Sequence, residues 1–206
     1  MNIAVLGTGM VGEAIASRLV ALGHDVTMGS RDAQHPRALA WAGRAGPRAR
    51  VASFADAAAF GALVFNCTHG AASLDVLHAA GAQQLAHKIL IDVANLLPPD
   101  PSGGPSLGEQ IQRAFPETRV VKTLNTLNCE LMADPGLLPS PHSLFLSGND
   151  PGAKAEVRSL LETFGWRDVI DLGGIETARA TESLLSTWLA LYRALGTARF
   201  NFAVVR

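Results

Sequence analysis

Asn2-Ile3-Ala4-Val5-Leu6-Gly7-Thr8-Gly9-Met10-Val11-Gly12 opens the chain, and its reading decides the fold. Asn2 to Leu6 is a short apolar run of the kind that forms a strand buried on both faces. Gly7, Gly9 and Gly12 follow at a spacing with a mechanical meaning. The first glycine allows a tight turn off the strand, the second lets the backbone approach a pyrophosphate, and the third lets the next helix pack closely. The helix from about Val11 to Leu22 carries Val11, Ile15, Leu19 and Leu22 on one stripe and stops at Gly23. Strand, glycine turn and amphipathic helix together form a dinucleotide-binding unit, with the helix N-terminus directed at the phosphates.

Outward from that unit, short apolar runs alternate with amphipathic stretches. Strands are expected at Asn2 to Leu6, Asp25 to Met28, Ala62 to Cys67, Lys88 to Val93, Arg119 to Leu124, Ser143 to Leu146 and Arg167 to Asp171. The pattern predicts an α/β fold of the doubly wound Rossmann type with a mainly parallel sheet. Asp150 reads as an N-cap with Pro151 at the first helical position, for a helix running to Phe164 before Gly165. A last helix is expected from Glu176 to Leu195, with Leu184, Trp188, Leu191, Tyr192 and Leu195 on one face, and the tail Phe200 to Val205 reads as a final strand. The reading is one domain over 1–206, with 150–206 as a short, largely helical C-terminal extension of the same unit. Leu97 to Leu107, rich in Pro and Gly, and Pro135 to Pro141 read as loops, the first with two open readings, a cover for a second substrate or a disordered segment.

The choice between two dinucleotides turns on the end of the second strand. A carboxylate there accepts hydrogen bonds from an unmodified adenosine ribose. Here the position holds Gly29-Ser30-Arg31, a hydroxyl and a guanidinium that suit a 2′-phosphate, so NADP(H) is expected over NAD(H). From Arg31 to Arg50 the chain carries Arg31, Arg37, Arg44, Arg48 and Arg50 against one acid, Asp32. Arg44, Arg48 and Arg50 read as a solvated face; Arg37 fits either a solvated face or the cofactor; Asp32 reads as a cap of the following turn.

Ligands of open α/β sheets bind beyond the carboxyl ends of the strands. That rule adds Thr68 and His69 after the third expected strand, Asn95 after the fourth, and Asn125 and Thr126 after the fifth. His69 has two readings, a proton donor or a neutral wall of the groove. Asn95 and Asn125 either orient a carboxamide or cap turns. The expected cofactor set is therefore Gly7, Thr8, Gly9, Met10, Val11, Gly12, Ser30, Arg31, Arg37, Thr68, His69, Asn95, Asn125 and Thr126, with no catalytic residue and no metal ligand assigned.

With these residues in place, the sequence resembles the deazaflavin-dependent NADP oxidoreductases. The likeness rests on the opening turn, Gly29-Ser30-Arg31, Val121-Lys122-Thr123-Leu124-Asn125-Thr126-Leu127, Gly173-Gly174-Ile175-Glu176-Thr177-Ala178-Arg179 and Arg199-Phe200-Asn201-Phe202. The resemblance implies hydride exchange between NADP(H) and a 5-deazaflavin coenzyme. In the similar cytoplasmic reductase part of transmembrane metalloreductases the acceptor is a flavin. It also implies that Thr8, Ser30 and Arg31 contact the cofactor and that Leu124-Asn125-Thr126 lies beside the nicotinamide. A short-chain dehydrogenase is excluded, because Tyr192 is followed four residues later by Gly196 instead of lysine. The rival reading is an NADP(H)-binding redox sensor without turnover.

Composition narrows the partners. The chain has 206 residues, a net charge of −1 and 48% hydrophobic residues, enough to bury a core. Near-neutral charge argues against nucleic acid or an anionic membrane as partner. No run of 18 apolar residues occurs, and the opening apolar run, with no basic leader, reads as a strand and not a signal peptide. The two cysteines, Cys67 and Cys129, read as reduced thiols, from which a cytoplasmic setting is expected. A small-molecule electron acceptor and a homodimer, built through the apolar face of the last helix, complete the expectation.

Overall fold

A computed structural model describes residues 1–97 and 104–206. The expected loop positions Pro98, Pro99, Pro101 and Gly103 lie outside the described residues. In chain order the elements are β1 (Asn2–Leu6), α1 (Met10–Ala21), β2 (Asp25–Ser30), α2 (Pro36–Ala45), β3 (Ala49–Ser53), α3 (Phe54–Phe60), β4 (Leu63–Asn66), α4 (Gly70–Ala80), α5 (Ala82–Leu85), β5 (Ile89–Asp92), α6 (Leu107–Ala114), β6 (Arg119–Thr123), α7 (Cys129–Ala133), β7 (Ser143–Gly148), α8 (Pro151–Phe164), β8 (Asp168–Asp171) and α9 (Ala178–Leu195). Single 3₁₀ turns lie at Pro135–Leu137 and Ile175–Thr177.

The strands form one sheet in the order β3-β2-β1-β4-β5-β6-β7-β8. Neighbours run parallel except β6 and β7, which are antiparallel. The first six strands follow the doubly wound dinucleotide order, whose switch point lies between β1 and β4. Successive residues of β1 serve opposite faces of the sheet. Ile3 and Val5 join a core with Ile15, Leu19, Trp41 and Phe164, and Ala4 and Leu6 join a second core with Phe54, Leu77 and Ile111. Both faces are therefore covered by helices, as a parallel sheet requires.

Local chemistry explains the element ends. The Asp150 side chain accepts from the Ala153 amide at 2.7 Å, Pro151 takes the first helical position, and Gly165 ends α8 in the left-handed region at φ 111°. Ser106 and Glu109 close a reciprocal capping box on α6.

Two expectations are corrected. β3 carries Arg50 and no buried side chain, so it lacks the apolar run that marks the other strands, yet it pairs with β2 as the sheet edge. The tail Phe200 to Val205 forms no strand. The Ser143 amide donates to the Phe202 carbonyl at 2.9 Å, but the Val204 amide donates to the Ser143 hydroxyl instead of a strand carbonyl, so no ladder follows. The last helix, expected from about Glu176, runs Ala178–Leu195 directly after the 3₁₀ turn.

Candidate active site

The glycine turn is built as its spacing requires. Gly7 has φ 119°, and a Cβ there would lie 2.7 Å from the Cys67 carbonyl oxygen. A Cβ at Gly12 would lie 2.1 Å from the Gly7 carbonyl oxygen, so α1 reaches β1 only without a side chain. Nothing lies within 4 Å of where a Gly9 side chain would begin. No side chain caps α1 at Gly9, which leaves first-turn amides for an anion.

A cleft of about 710 Å³ lies over this turn, within the range of small-molecule sites. Its walls include Gly7, Thr8, Gly9, Ser30, Arg31, Thr68 and His69 of the expected set. Ser30 is buried at the end of β2, and Arg31 is exposed beside it. Asp32 also lines the cleft, and its carboxylate accepts from the Gln34 amide at 2.8 Å, as a turn cap does. His35, outside the expected set, lines the cleft as well, and its Nδ1 is buried with no hydrogen-bond partner among the described residues. The floor from α4 is apolar, with Ala72, Val76 and Ala79, and carries one acid, Asp75.

The remaining expected residues lie off this wall. Arg37 pairs with Glu13 at 3.3 Å, and Arg44 pairs with the same carboxylate at 2.6 Å, so Glu13 draws Arg37 to the α1 surface. Met10 is exposed on the first turn of α1, and Val11 packs against the core. His69 is the N-cap of α4, and its Nδ1 accepts from the Ala71 amide at 3.4 Å. This contact holds the ring at the start of α4, on the wall of the cleft.

Asn95 and Asn125 form a pair. Asn95 Nδ2 donates to the Asn125 carbonyl at 2.6 Å, and Asn125 Nδ2 donates to Asn95 Oδ1 at 3.0 Å. The pair adjoins the His69 end of the cleft, because the Gly70 amide donates to the Asn95 carbonyl at 3.1 Å. Leu124 has φ 63°, a left-handed conformation that leucine rarely adopts, and it turns the chain sharply off β6. Thr126 follows, 2% exposed, with its hydroxyl left without a partner among the described residues. Buried polar atoms are nearly always paired, so such an orphan points to a missing ligand or water. The open space at Gly9, the uncapped helix end, Ser30 with Arg31, and this orphan hydroxyl fit a dinucleotide with a 2′-phosphate.

Sequence reasoning missed a buried polar network behind the cleft. The Thr68 hydroxyl donates to Asn66 Oδ1 at 2.6 Å, and Asn66 Nδ2 donates to Asp92 Oδ1 at 2.8 Å. Lys122 Nζ lies 2.8 Å from Asp92 Oδ2 and 3.0 Å from Glu182 Oε1. The signal was present: Asp92 and Lys122 are charges inside strands otherwise apolar enough for full burial, where a charge demands a partner. Burial also pushes the Cys67 thiol far above its ordinary value, and the Asp92 charge adds to this, so that thiol is inert.

Known proteins share the sequence pattern and the fold. A family model described as NADP oxidoreductase, coenzyme F420-dependent, matches residues 2–96. The crystal structure of a proposed F420-dependent NADP reductase from Arthrobacter sp. FB24 is 52% identical, with a TM-score of 0.94 and 100% of each chain covered. The chain belongs to the coenzyme F420-dependent NADP oxidoreductase family. As a member of that family it is an NADP-dependent oxidoreductase. Metalloreductase STEAP3 from Rattus norvegicus is 28% identical over 195 residues, which is 91% of this chain and 38% of that protein. The chain thus spans well under half the length of this curated relative. A reductive aminase from Aspergillus terreus, solved with NADPH and ethyl-5-oxohexanoate, shares the fold at a TM-score of 0.70 and 21% identity, over 94% of this chain and 62% of that one. Among the described residues no helix is long and apolar enough to cross a membrane, and no group of three or more His, Cys, Asp or Glu is placed to hold a metal.

Proposed function

We propose that this protein transfers hydride between NADP(H) and a 5-deazaflavin or flavin-type acceptor. The observation that carries the proposal is the cleft itself: Ser30, Arg31, the bare Gly9 turn and His69 line it, and the Asn95–Asn125 pair adjoins His69 through the Gly70 amide. When bound, NADPH supplies the hydride.

The residues divide the work. Ser30 and Arg31 hold the 2′-phosphate by charge-assisted hydrogen bonds, with His35 as a further ring nitrogen on the same wall. The first-turn amides of α1, at Met10 to Gly12, hold the pyrophosphate. Asn95, Asn125 and Thr126 hold the nicotinamide end, where the orphan Thr126 hydroxyl awaits a partner. Hydride transfer between two rings depends on alignment more than on a protein acid, so these residues act by orientation.

The test is anaerobic NADPH oxidation with 5-deazaflavin, FMN and a ferric chelate in parallel. Steady turnover with a flavin-type acceptor is expected. Tight NADPH binding with no oxidation by any acceptor overturns the proposal in favour of a redox sensor.

A further inference from the structure

Lys122 is wholly buried in the middle of the sheet and lines no wall of the cleft. Its ammonium sits between the Asp92 and Glu182 carboxylates and also donates to the Ala94 carbonyl. Burial alone lowers a lysine pKa, but the two carboxylates outweigh it and hold Lys122 above its ordinary value, so the group is charged.

Buried ion triads add little net stability over apolar packing, and their best-attested use is to fix one arrangement of the elements they join. This triad joins four. Asp92 and Ala94 lie at the end of β5, Lys122 lies in β6, and Glu182 lies on α9. Glu182 also accepts from the Leu107 and Gly108 amides at 2.8 and 3.0 Å, which ties in the start of α6. Ala94 is the residue before Asn95, and Lys122 precedes Asn125 by one turn of chain. On its other side Asp92 reaches Thr68, on the cleft wall, through Asn66. The adenosine-end residues Ser30 and Arg31 lie at the end of β2, separated from β5 by β1 and β4.

We propose that Lys122, with Asp92 and Glu182, is the positioning element of the nicotinamide subsite. It clamps the ends of β5 and β6 so that Asn95 and Asn125 meet the ring in one arrangement, and it makes α9 part of that clamp. The proposal rests on the functional reading above.

The experiment compares NADPH with adenosine 2′,5′-bisphosphate, which carries the 2′-phosphate end and lacks the nicotinamide. Glu182→Gln keeps the shape and an acceptor oxygen for one of the two α6 amides while removing one charge. In the wild type NADPH is expected to bind more tightly than the bisphosphate. In Glu182→Gln the bisphosphate affinity is expected to stay within about twofold, while the NADPH advantage falls about tenfold and the emission of bound NADPH moves toward that of free NADPH. Lys122→Met leaves two buried carboxylates without a cation and is expected to fold poorly, so Glu182→Gln is the deciding variant. Equal loss of both ligands shows a general loosening of the fold and overturns the proposal, as does no change in either. A wild type that binds neither ligand refutes the reading of the cleft itself. A wild type that binds both equally leaves that reading standing and refutes only the nicotinamide clamp.

Discussion

At the residue scale, the glycine turn fixes the register of Ser30 and Arg31 in the sequence, and both line the cleft, where they are proposed to meet the 2′-phosphate. A charge-assisted hydrogen bond contributes about 1.5–3 kcal/mol, so Arg31→Ala is expected to lower the NADPH preference over NADH by roughly ten- to a hundredfold in fluorescence titrations. An unchanged ratio would mean that Arg31 only decorates the surface. Arg37 shows the limit of reading charges along a sequence, since its partner Glu13 lies on another helix. His69, held as a cap, is not expected to move a proton. His69→Ala should lower single-turnover hydride transfer by less than about tenfold, whereas loss of a true acid or base costs about 10²–10⁴-fold. Crowding at the orphan hydroxyl should hurt more: Thr126→Phe is expected to cost on the order of 10²-fold by displacing the ring. In the Asp92–Lys122–Glu182 triad, Asp92 and Lys122 signal themselves as charges in apolar strands, but Glu182 was not legible, because it lies on a helix 60 residues beyond Lys122 and only the fold brings it there.

At the element scale, the apolar pattern found every strand that has a buried residue and missed β3, which has none. β3 is an edge strand of half-buried side chains around Arg50, and polarity hides it. The opposite failure occurs at the tail, where apolar residues suggested pairing but Ser143 offers a hydroxyl where a ladder needs a carbonyl. End signals were dependable where one side chain makes one bond. Asp150→Ala should therefore destabilise the protein by about 1 kcal/mol in urea unfolding, with NADPH affinity unchanged, because α8 lies away from the cleft. Gly12→Ala belongs to the other class. Its Cβ meets the Gly7 carbonyl, so overpacking of about 1–3 kcal/mol and a loss of NADPH affinity should appear together.

At the scale of the whole molecule, strand order places the chemistry. The switch between β1 and β4 opens the cleft, and β5 and β6 lead into the Asn95–Asn125 pair, which adjoins His69 through the Gly70 amide. α9 contributes Glu182 to the interior while Trp188 stacks on Tyr192 at 5.5 Å and on Phe200 at 5.3 Å. Tyr192 and Leu195 on that face are 46% and 55% exposed, so light scattering at micromolar concentration is expected to give a dimer mass; a monomer mass would show that this face stays open to solvent. The central claim is direct hydride transfer from NADPH to a flavin-type ring. Its most direct test is one anaerobic turnover with NADPH deuterated at the transferred position of C4 and a 5-deazaflavin acceptor, whose reduced C5 does not exchange its hydrogen with water. The account predicts deuterium at C5 of the reduced acceptor, one per NADPH oxidised. Label found in water, or NADPH left intact, would contradict it.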